Sequence, residues 1–383
     1  MAKYKLGEIC EFYSGTGFPV TYQGKAIGDF PFYKVGDIAN NVVAGNVYLS
    51  LCNNYISNQD ALEIKGTIIP KDTVVFAKIG EALKLNRRAL TSCNCLIDNN
   101  AMGIAPKRKF LQTGYFFYFM KNLKLQNFAE STTVPSVRKS KLEQIEIETP
   151  PLNTQNEVER TLDKISSLIT IRQHQLQKLD ELIKARFVEL FGDCKSMVSM
   201  NELCSIITDG THQPPRFQES GIPFIFVSNL VGNVVTYNAE KFISEDTYAE
   251  LYKRTPIEIG DLLLSTVGSY GHPAVVTEDR KFLFQRHIAY LKPRHNMVNS
   301  FYLHSALLAP DGQRQIEEKV KGIAQKTLNL SEIKKIVVPL PTIEEQNQFE
   351  KFVNQTDKSK VAIQKSLDEA QLLFDSLMQQ YFG

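Results

Sequence analysis

The 383 residues predict an α+β chain made of two copies of one unit. Three observations carry that expectation: a long-period internal repeat, a heptad-patterned segment closing each copy, and short β-rich runs broken by glycine and aspartate turns in the remainder. Each copy should hold a globular domain followed by a long helix. The two helices are expected to pair as an antiparallel coiled coil about a pseudo-twofold axis.

The repeat comes first because a long period overrides residue-level readings. Pro150, Gln155 and Asn156 recur as Pro341, Gln346 and Asn347, all 191 positions later. The same offset links Ser140 to Ser331, Ile145 to Ile336, and Phe191-Gly192 to Phe382-Gly383. Upstream the copies match more loosely, with small insertions. Phe30-Pro31-Phe32-Tyr33-Lys34-Val35 parallels Ile222-Pro223-Phe224-Ile225-Phe226-Val227, and Asp72 to Gly80 parallels Asp261 to Gly268, one residue shorter. The globular part varies between copies while the closing part is held. The expected domains are therefore 1–150 and 193–341 as globular units, with 151–192 and 342–383 as helices.

Both closing segments carry a helix-start signature after a proline, Thr154-x-x-Glu157 and Thr342-x-x-Glu345, read as capping boxes. In the first, apolar residues follow at Val158, Leu162, Ile165, Ile169, Leu176, Leu179, Ile183 and Leu190, in steps of three and four with Arg172 filling one place. The second carries Phe349, Val353, Ile363, Leu367, Ala370, Phe374, Leu377 and Tyr381, with Thr356 and Lys360 weakening the seam. Helices of about 36 residues would each be roughly 54 Å long. A lone helix of this kind reads as an ordinary core helix. Two matched ones, each ending a repeat, favour the coiled coil.

In the globular halves, Thr73 to Ala77 and Asp261 to Thr266 read as strands, and Thr113 to Asn127 and Ser300 to Glu318 as amphipathic helices. Loop residues able to donate to base edges and phosphates are Lys78, Lys84, Asn86, Arg87 and Arg88 in the first half. In the second they are Thr211, His212, Arg216, Ser269, Tyr270, His272 and Arg286, with Arg280 and Lys281 nearby. A solvated surface explains any one of these taken singly; their clustering is the signal.

Composition excludes more than it assigns. Hydrophobic content of 43% and charged content of 22% are those of a soluble globular protein. No apolar run is long enough to span a bilayer, and the start Met1-Ala2-Lys3-Tyr4-Lys5 lacks a signal-peptide core, so a cytoplasmic protein without membrane contact is expected. Six cysteines with no C-x-x-C pair argue against a structural metal. A net charge of +2 is neutral on nucleic acid, because phosphate contact needs a local basic surface. No methyltransferase motif, glycine-rich cofactor loop, Walker lysine or nucleophile elbow occurs, so neither cofactor nor catalytic residue is expected. Gly15-Thr16-Gly17 lacks the strand–turn–helix context of a cofactor loop. Glu63-x-Lys65 and Glu332-x-Lys334 imitate a nuclease metal triplet that chance supplies often, and Asp209-Gly210-Thr211-His212 reads as a turn with a conformationally demanding glycine.

Together these residues resemble a known family. Gly260-Asp261-Leu262-Leu263-Leu264-Ser265-Thr266-Val267-Gly268, then Ser331-Glu332-Ile333, Pro339-Leu340-Pro341, Glu345-Gln346 and a long helix ending Phe382-Gly383 are similar to the specificity (S) subunit of type I restriction-modification systems. Asp209 to Pro215 followed by Ser220 to Phe224 resembles the start of one target-recognition domain type. The likeness runs through both copies. The first departs by having Thr154-Gln155 where the family has Glu-Gln, and by keeping only a loose form of a Gly-x-x-Gln pattern over Thr132 to Ser136, itself partly kept as Gly322 to Lys326.

The resemblance implies a non-catalytic subunit that reads a bipartite site in double-stranded DNA, one half per globular domain. Its helices would space the readers and dock two methyltransferase (M) subunits, with restriction (R) subunits joining the full complex. Two readings of other classes stand beside it: a self-contained, duplicated-domain DNA methyltransferase or nuclease, and a coiled-coil protein-binding scaffold.

Overall fold

A computed structural model describes residues 2–130, 134–322 and 325–383. The chain divides into two compact units, 1–173 with 365–383, and 174–364. The division cuts through both long helices, Leu152–Phe191 and Ile343–Phe382, so each helix serves both units. At 40 residues each, they are about 60 Å long.

Within unit 1, Cys10–Ser14, Ala101–Pro106, Val74–Ala77, Ala89–Thr91 and Tyr48–Leu49 form one sheet in that spatial order. Phe30–Tyr33 lies antiparallel to Tyr55–Ile56 and parallel to Leu96–Ile97 in a second sheet. Unit 2 repeats the plan. Cys204–Asp209, Ile288–Pro293, Leu262–Ser265 and Pro273–Val275 form its main sheet. Ile222–Ile225 lies antiparallel to Lys241–Ile243 and parallel to Leu283–Phe284. A two-stranded clip closes each globular part: Ala2–Lys5 on Glu146–Thr149, and Met197–Ser199 on Val337–Pro339. The central strands Val74–Ala77 and Leu262–Ser265 are buried throughout, as their apolar runs require.

Helices start at Thr113 and Ser300 as expected, but the first ends at Asn122 and is buried nearly all round rather than amphipathic, with a short turn Leu125–Phe128 after it, and the second breaks before Pro310 into Ser300–Leu308 and Pro310–Lys319. In unit 1, Val158 and Leu162 from the start of the first long helix share a core with Phe374 and Met378 from the end of the second. In unit 2, Phe187 and Phe191 from the end of the first share a core with Phe349 and Val353 from the start of the second. Each unit thus pairs one helix start with one helix end, an antiparallel arrangement. Ile165, Ile169, Ile183 and Leu377 are partly buried against these cores, and Leu176, Leu179, Ile363 and Leu367 are half-buried.

Three seam details differ from expectation. Leu190 is 46% exposed, and Phe187 and Phe191 hold the inward positions because the last turn packs on Tyr302 as well as on Phe349. Lys360 sits in the seam as a charged link, its ammonium 2.7 Å from Asp180 on the other helix and 3.0 Å from Asp357. The first capping box does not form. Its helix begins at Leu152, which puts Thr154 inside the first turn, and Pro151 occupies the place of Thr342. The second box is complete: Glu345 accepts from Thr342 N at 2.9 Å while Thr342 Oγ1 accepts from Glu345 N at 3.3 Å.

The glutamines held across the repeat have a physical role. Gln155, fully buried, accepts from Gln112 N at 2.8 Å and donates to the carbonyls of Phe110 and Pro150, both at 2.9 Å. Gln346 accepts from Asn299 N at 2.8 Å and donates to Met297 O at 3.2 Å and Pro341 O at 3.0 Å. Each amide bolts the first turn of a long helix to the loop that opens the adjacent globular helix.

Candidate nucleic-acid interface

In unit 2 the strand register decides which loops meet. Asp209 pairs with Ala289 and Ser265 with Ile288, so the chain leaves Cys204–Asp209 and Leu262–Ser265 and enters Ile288–Pro293 at one end of the sheet. Thr211, His212, Ser269, Tyr270 and Arg286 lie on the loops at that end. Thr327 joins them by bridging Val267, and Leu328 N donates to Thr266 O at 2.8 Å. A glycine is needed at 210, where a Cβ would fall 2.3 Å from the Phe284 carbonyl oxygen. Close backbone approach therefore explains this glycine; its φ is not positive.

The side chains there form a polar edge of mixed charge. Asp209 accepts from Arg254 at 2.6 Å and stands 2.9 Å from His212 Nε2. Arg286 Nε–H donates to His287 Nε2 at 3.3 Å. Burial and the neighbouring Arg286 charge both hold that imidazole below its ordinary pKa, so it accepts. Lys326 reaches Glu317 at 2.9 Å and the Tyr270 hydroxyl at 3.2 Å. A recess of about 270 Å³ lined by Asp209, Arg286, His287, Gln325 and Thr327 opens between them. Donors of guanidinium, imidazole, ammonium and hydroxyl type from several loops suit phosphate and base-edge contact.

Unit 1 presents the equivalent end. Ser14 pairs with Met102 and Ala77 with Ala101, which brings Thr16, Lys78, Asn99 and Asn100 to one place. Ile79 bridges Ser136 and Lys78 O accepts from Val137 N at 2.9 Å. Arg138, paired with Glu130 at 2.5 Å, follows this segment. Thr132 and Thr133 of the loose Gly-x-x-Gln pattern, and Ile323 and Ala324 of its counterpart, lie outside the described residues.

Three sequence candidates turn out to serve the fold. Arg88 is 5% exposed, and its guanidinium donates to Met120 O at 3.1 Å, Leu123 O at 3.1 Å and Asn86 Oδ1 at 2.8 Å. Burial draws its pKa down to about 10, which still leaves it charged. Asn86, at φ +53°, receives that bond and also accepts from Leu125 N. His272 has Nδ1 3.0 Å from Asn233 Oδ1 and its backbone N on Ser265 Oγ, which shapes the turn. Lys84 pairs with Glu81 at 2.7 Å, Arg87 lines a separate cleft, and Arg216 is exposed. The same sheet ends also present residues that were not among the sequence candidates: Arg254, His287 and Lys326 in unit 2, and Asn99, Asn100 and Arg138 in unit 1. Asn99 and Asn100 fall in the loop equivalent to that of Arg286 and His287, so aligning the copies would have found those two.

The metal-like triplets are used otherwise. Glu63 accepts from Tyr22 Oη at 2.9 Å, and Glu332 pairs with Lys335 at 3.0 Å. Among the described residues no group of three or more His, Cys, Asp or Glu could hold a metal ion, and no helix is long and apolar enough to cross a membrane. Apolar residues do remain open on the long helices. Leu168, Ile171, Leu372 and Leu373 are exposed in unit 1, and Leu182, Val188, Leu190 and Val361 in unit 2. Leu182 and Leu373 are equivalent in the repeat.

Fold and site together define a duplicated α+β chain of the S-subunit architecture. It is similar to the crystal structure of a type I restriction-modification system S subunit from M. genitalium, with a TM-score of 0.55, 15% identity, and coverage of 100% of this chain and 96% of that one. A second solved structure, described as the structural basis of complex assembly and conformational transition of the type I R-M system, gives 0.57 at 18% identity, covering 100% and 97%. The family model for the type I restriction modification DNA specificity domain matches residues 1–181 and again 196–371, and the chain belongs to that family. The type I restriction enzyme EcoBI specificity subunit of Escherichia coli is 31% identical over 170 residues, 44% of this chain. That match spans only 36% of the EcoBI subunit's length. The MjaIX specificity subunit of Methanocaldococcus jannaschii is 23% identical over 383 residues, covering 90% of this chain and 85% of that protein.

Proposed function

We propose that this chain is the DNA-reading, non-catalytic subunit of a type I restriction-modification enzyme. The globular parts 1–150 and 193–341 each read one half of a split site, and the helices 151–192 and 342–383 set the spacing between the halves. The observation that carries the reading is the duplication of the loop-bearing sheet end, with different side chains in each copy on a common strand register. Two readers on one face of B-DNA need half-sites about one turn, roughly 34–36 Å, apart or a multiple of it.

In this reading Thr211, His212, Arg216, Ser269, Tyr270 and Arg286 contact DNA from unit 2, with Arg254, His287 and Lys326. Lys78, Lys84, Asn99, Asn100 and Arg138 do so from unit 1. The exposed apolar helix faces dock two methyltransferase subunits, one per repeat, since scattered single residues would need no partner but a facing set does. The methyltransferase subunits supply the chemistry, and restriction subunits join that core.

The test is protection of DNA by the chain assembled with a type I methyltransferase subunit from the same host. Protection of two short half-sites separated by an unread spacer is expected. Protection of one continuous site would overturn the proposal. So would cleavage or methyl transfer by the chain alone, the outcome a self-contained enzyme requires.

A further inference from the structure

Each unit holds a cleft between its globular part and its stretch of the long helices, and the repeat makes the two clefts equivalent. Gln371 and Asp375 in unit 1 stand where Asp180 and Lys184 stand in unit 2, and Ser166 and Ile169 where Asp357 and Lys360 stand. The clefts differ in size, about 660 Å³ against about 350 Å³, and in charge.

In unit 2 the charges cancel, because Lys360 is held by both Asp180 and Asp357 and Lys184 supplies the second cation of the lining. The globular wall there is neutral, with Phe301, Ser305 and Leu308. In unit 1 the buried Arg88 guanidinium is spent on backbone carbonyls, and the wall further carries Arg87, Lys121 and Lys124. Among the described residues none of these three lies within salt-bridge distance of a carboxylate. Asp375 is the one carboxylate in the lining, and its Oδ1 accepts from Gln371 Nε2 at 2.9 Å. Lys121 instead stands 5.4 Å over the Phe374 ring, and the protein around it lowers its pKa. Three like charges in one concavity repel each other and attract an anion.

We infer that the unit 1 cleft receives an acidic segment of one methyltransferase subunit, and that its unit 2 counterpart has no such electrostatic dock. The inference rests on the function proposed above. A peptide fits better than a free phosphate compound. Open apolar Val47 and Leu85 line the cleft beside the cations, and a peptide can bring acidic and apolar side chains to it together. Phe117 and Phe374 are buried too deeply to offer a face to a nucleotide base. One methyltransferase subunit would then be held partly by charge and the other almost wholly by apolar contact.

The experiment counts methyltransferase subunits bound to the full chain by native mass spectrometry and sedimentation, at salt of about 0.1 M and about 1 M, where the Debye length falls from about 10 Å to about 3 Å. Two subunits at low salt and one at high salt are expected for the unaltered chain. The double variant Lys121→Glu, Lys124→Glu should weaken one site about tenfold at low salt and leave the other unchanged. Lys124 is exposed, whereas Lys121 rests on the Phe374 ring, so thermal melts accompany the count; Lys124→Glu alone, which leaves that ring contact intact, should give an intermediate loss. Equal salt response at both sites, or a double variant that still holds two subunits tightly, overturns the cleft assignment alone. A double variant that weakens DNA binding while partner binding stays intact also overturns it, by marking the cleft as a phosphate track. An unaltered chain that binds no methyltransferase subunit contradicts the functional reading itself.

Discussion

Replacing Gln346 by alanine probes how the globular part of unit 2 is fastened to its helix. The amide is fully buried and makes three bonds, to Asn299 N and to the carbonyls of Met297 and Pro341. The variant leaves one N–H and two C=O groups without those partners. At about 1 kcal/mol for each group left unmade, the low end of the usual range because the loop is only partly buried, the loss is about 3 kcal/mol. A cavity adds up to about 1 kcal/mol more. Gln346→Met keeps most of the volume and removes the bonds, so it should still lose about 3 kcal/mol and isolates the hydrogen-bond share. Urea unfolding followed by hydrogen exchange resolves the effect by unit: protection should fall in residues 297–303 and 341–347 and hold in unit 1. Gln155→Ala should do the same to unit 1 at Gln112 and Phe110. Losses under about 0.5 kcal/mol, the scale of an ordinary surface change, would refute the bolting role.

Further predictions concern charge and spacing. His304 donates to Asn233 O at 3.0 Å and faces Pro273 O, Asp357 and Lys360; burial keeps its pKa below the ordinary 6.5. As pH falls through about 6.5 the unfolded chain takes up the proton first, so stability present above that value is lost below it, and His304→Gln should flatten this slope in thermal melts between pH 5 and 8. Arg88→Ala removes the donor from three backbone carbonyls and should cost about 2–4 kcal/mol in denaturation, with DNA affinity per folded molecule unchanged. Inserting four residues in the exposed middle of the first long helix should change the tolerated spacer length, read by methylation of a spacer library, without altering either half-site.

Much of the architecture was legible because it rests on periodicity. The offset of 191, the heptads and the central strands depend on local pattern, and the structure places the long helices and strands within a few residues of the sequence reading. What was not legible depends on tertiary neighbours. Nothing in Asn86-Arg87-Arg88 distinguishes the arginine that turns inward; the carbonyls of Met120 and Leu123, over thirty residues on, decide it. Lys360 looked like a flaw in the seam until Asp180 from the other helix met it. Leu190 fitted the heptad, but Tyr302 drew Phe187 and Phe191 inward. For the candidate site, the sequence offered residue types and not their grouping. Thr211, His212 and Arg286 were named from their residue types, but that they share a sheet end with Arg254, from a segment with no motif, and with Lys326, from the loose Gly-x-x-Gln pattern, is set by strand register.

Divided reading is tested most directly by recording methylated adenines across the host genome with the unaltered chain and with a chain carrying His212→Ala and Arg286→Ala. The double variant should relax or lose recognition in one half of the motif, keeping the other half and the spacer as they were. Equal decay of both halves, or a motif with no unread gap in the unaltered strain, would contradict the account.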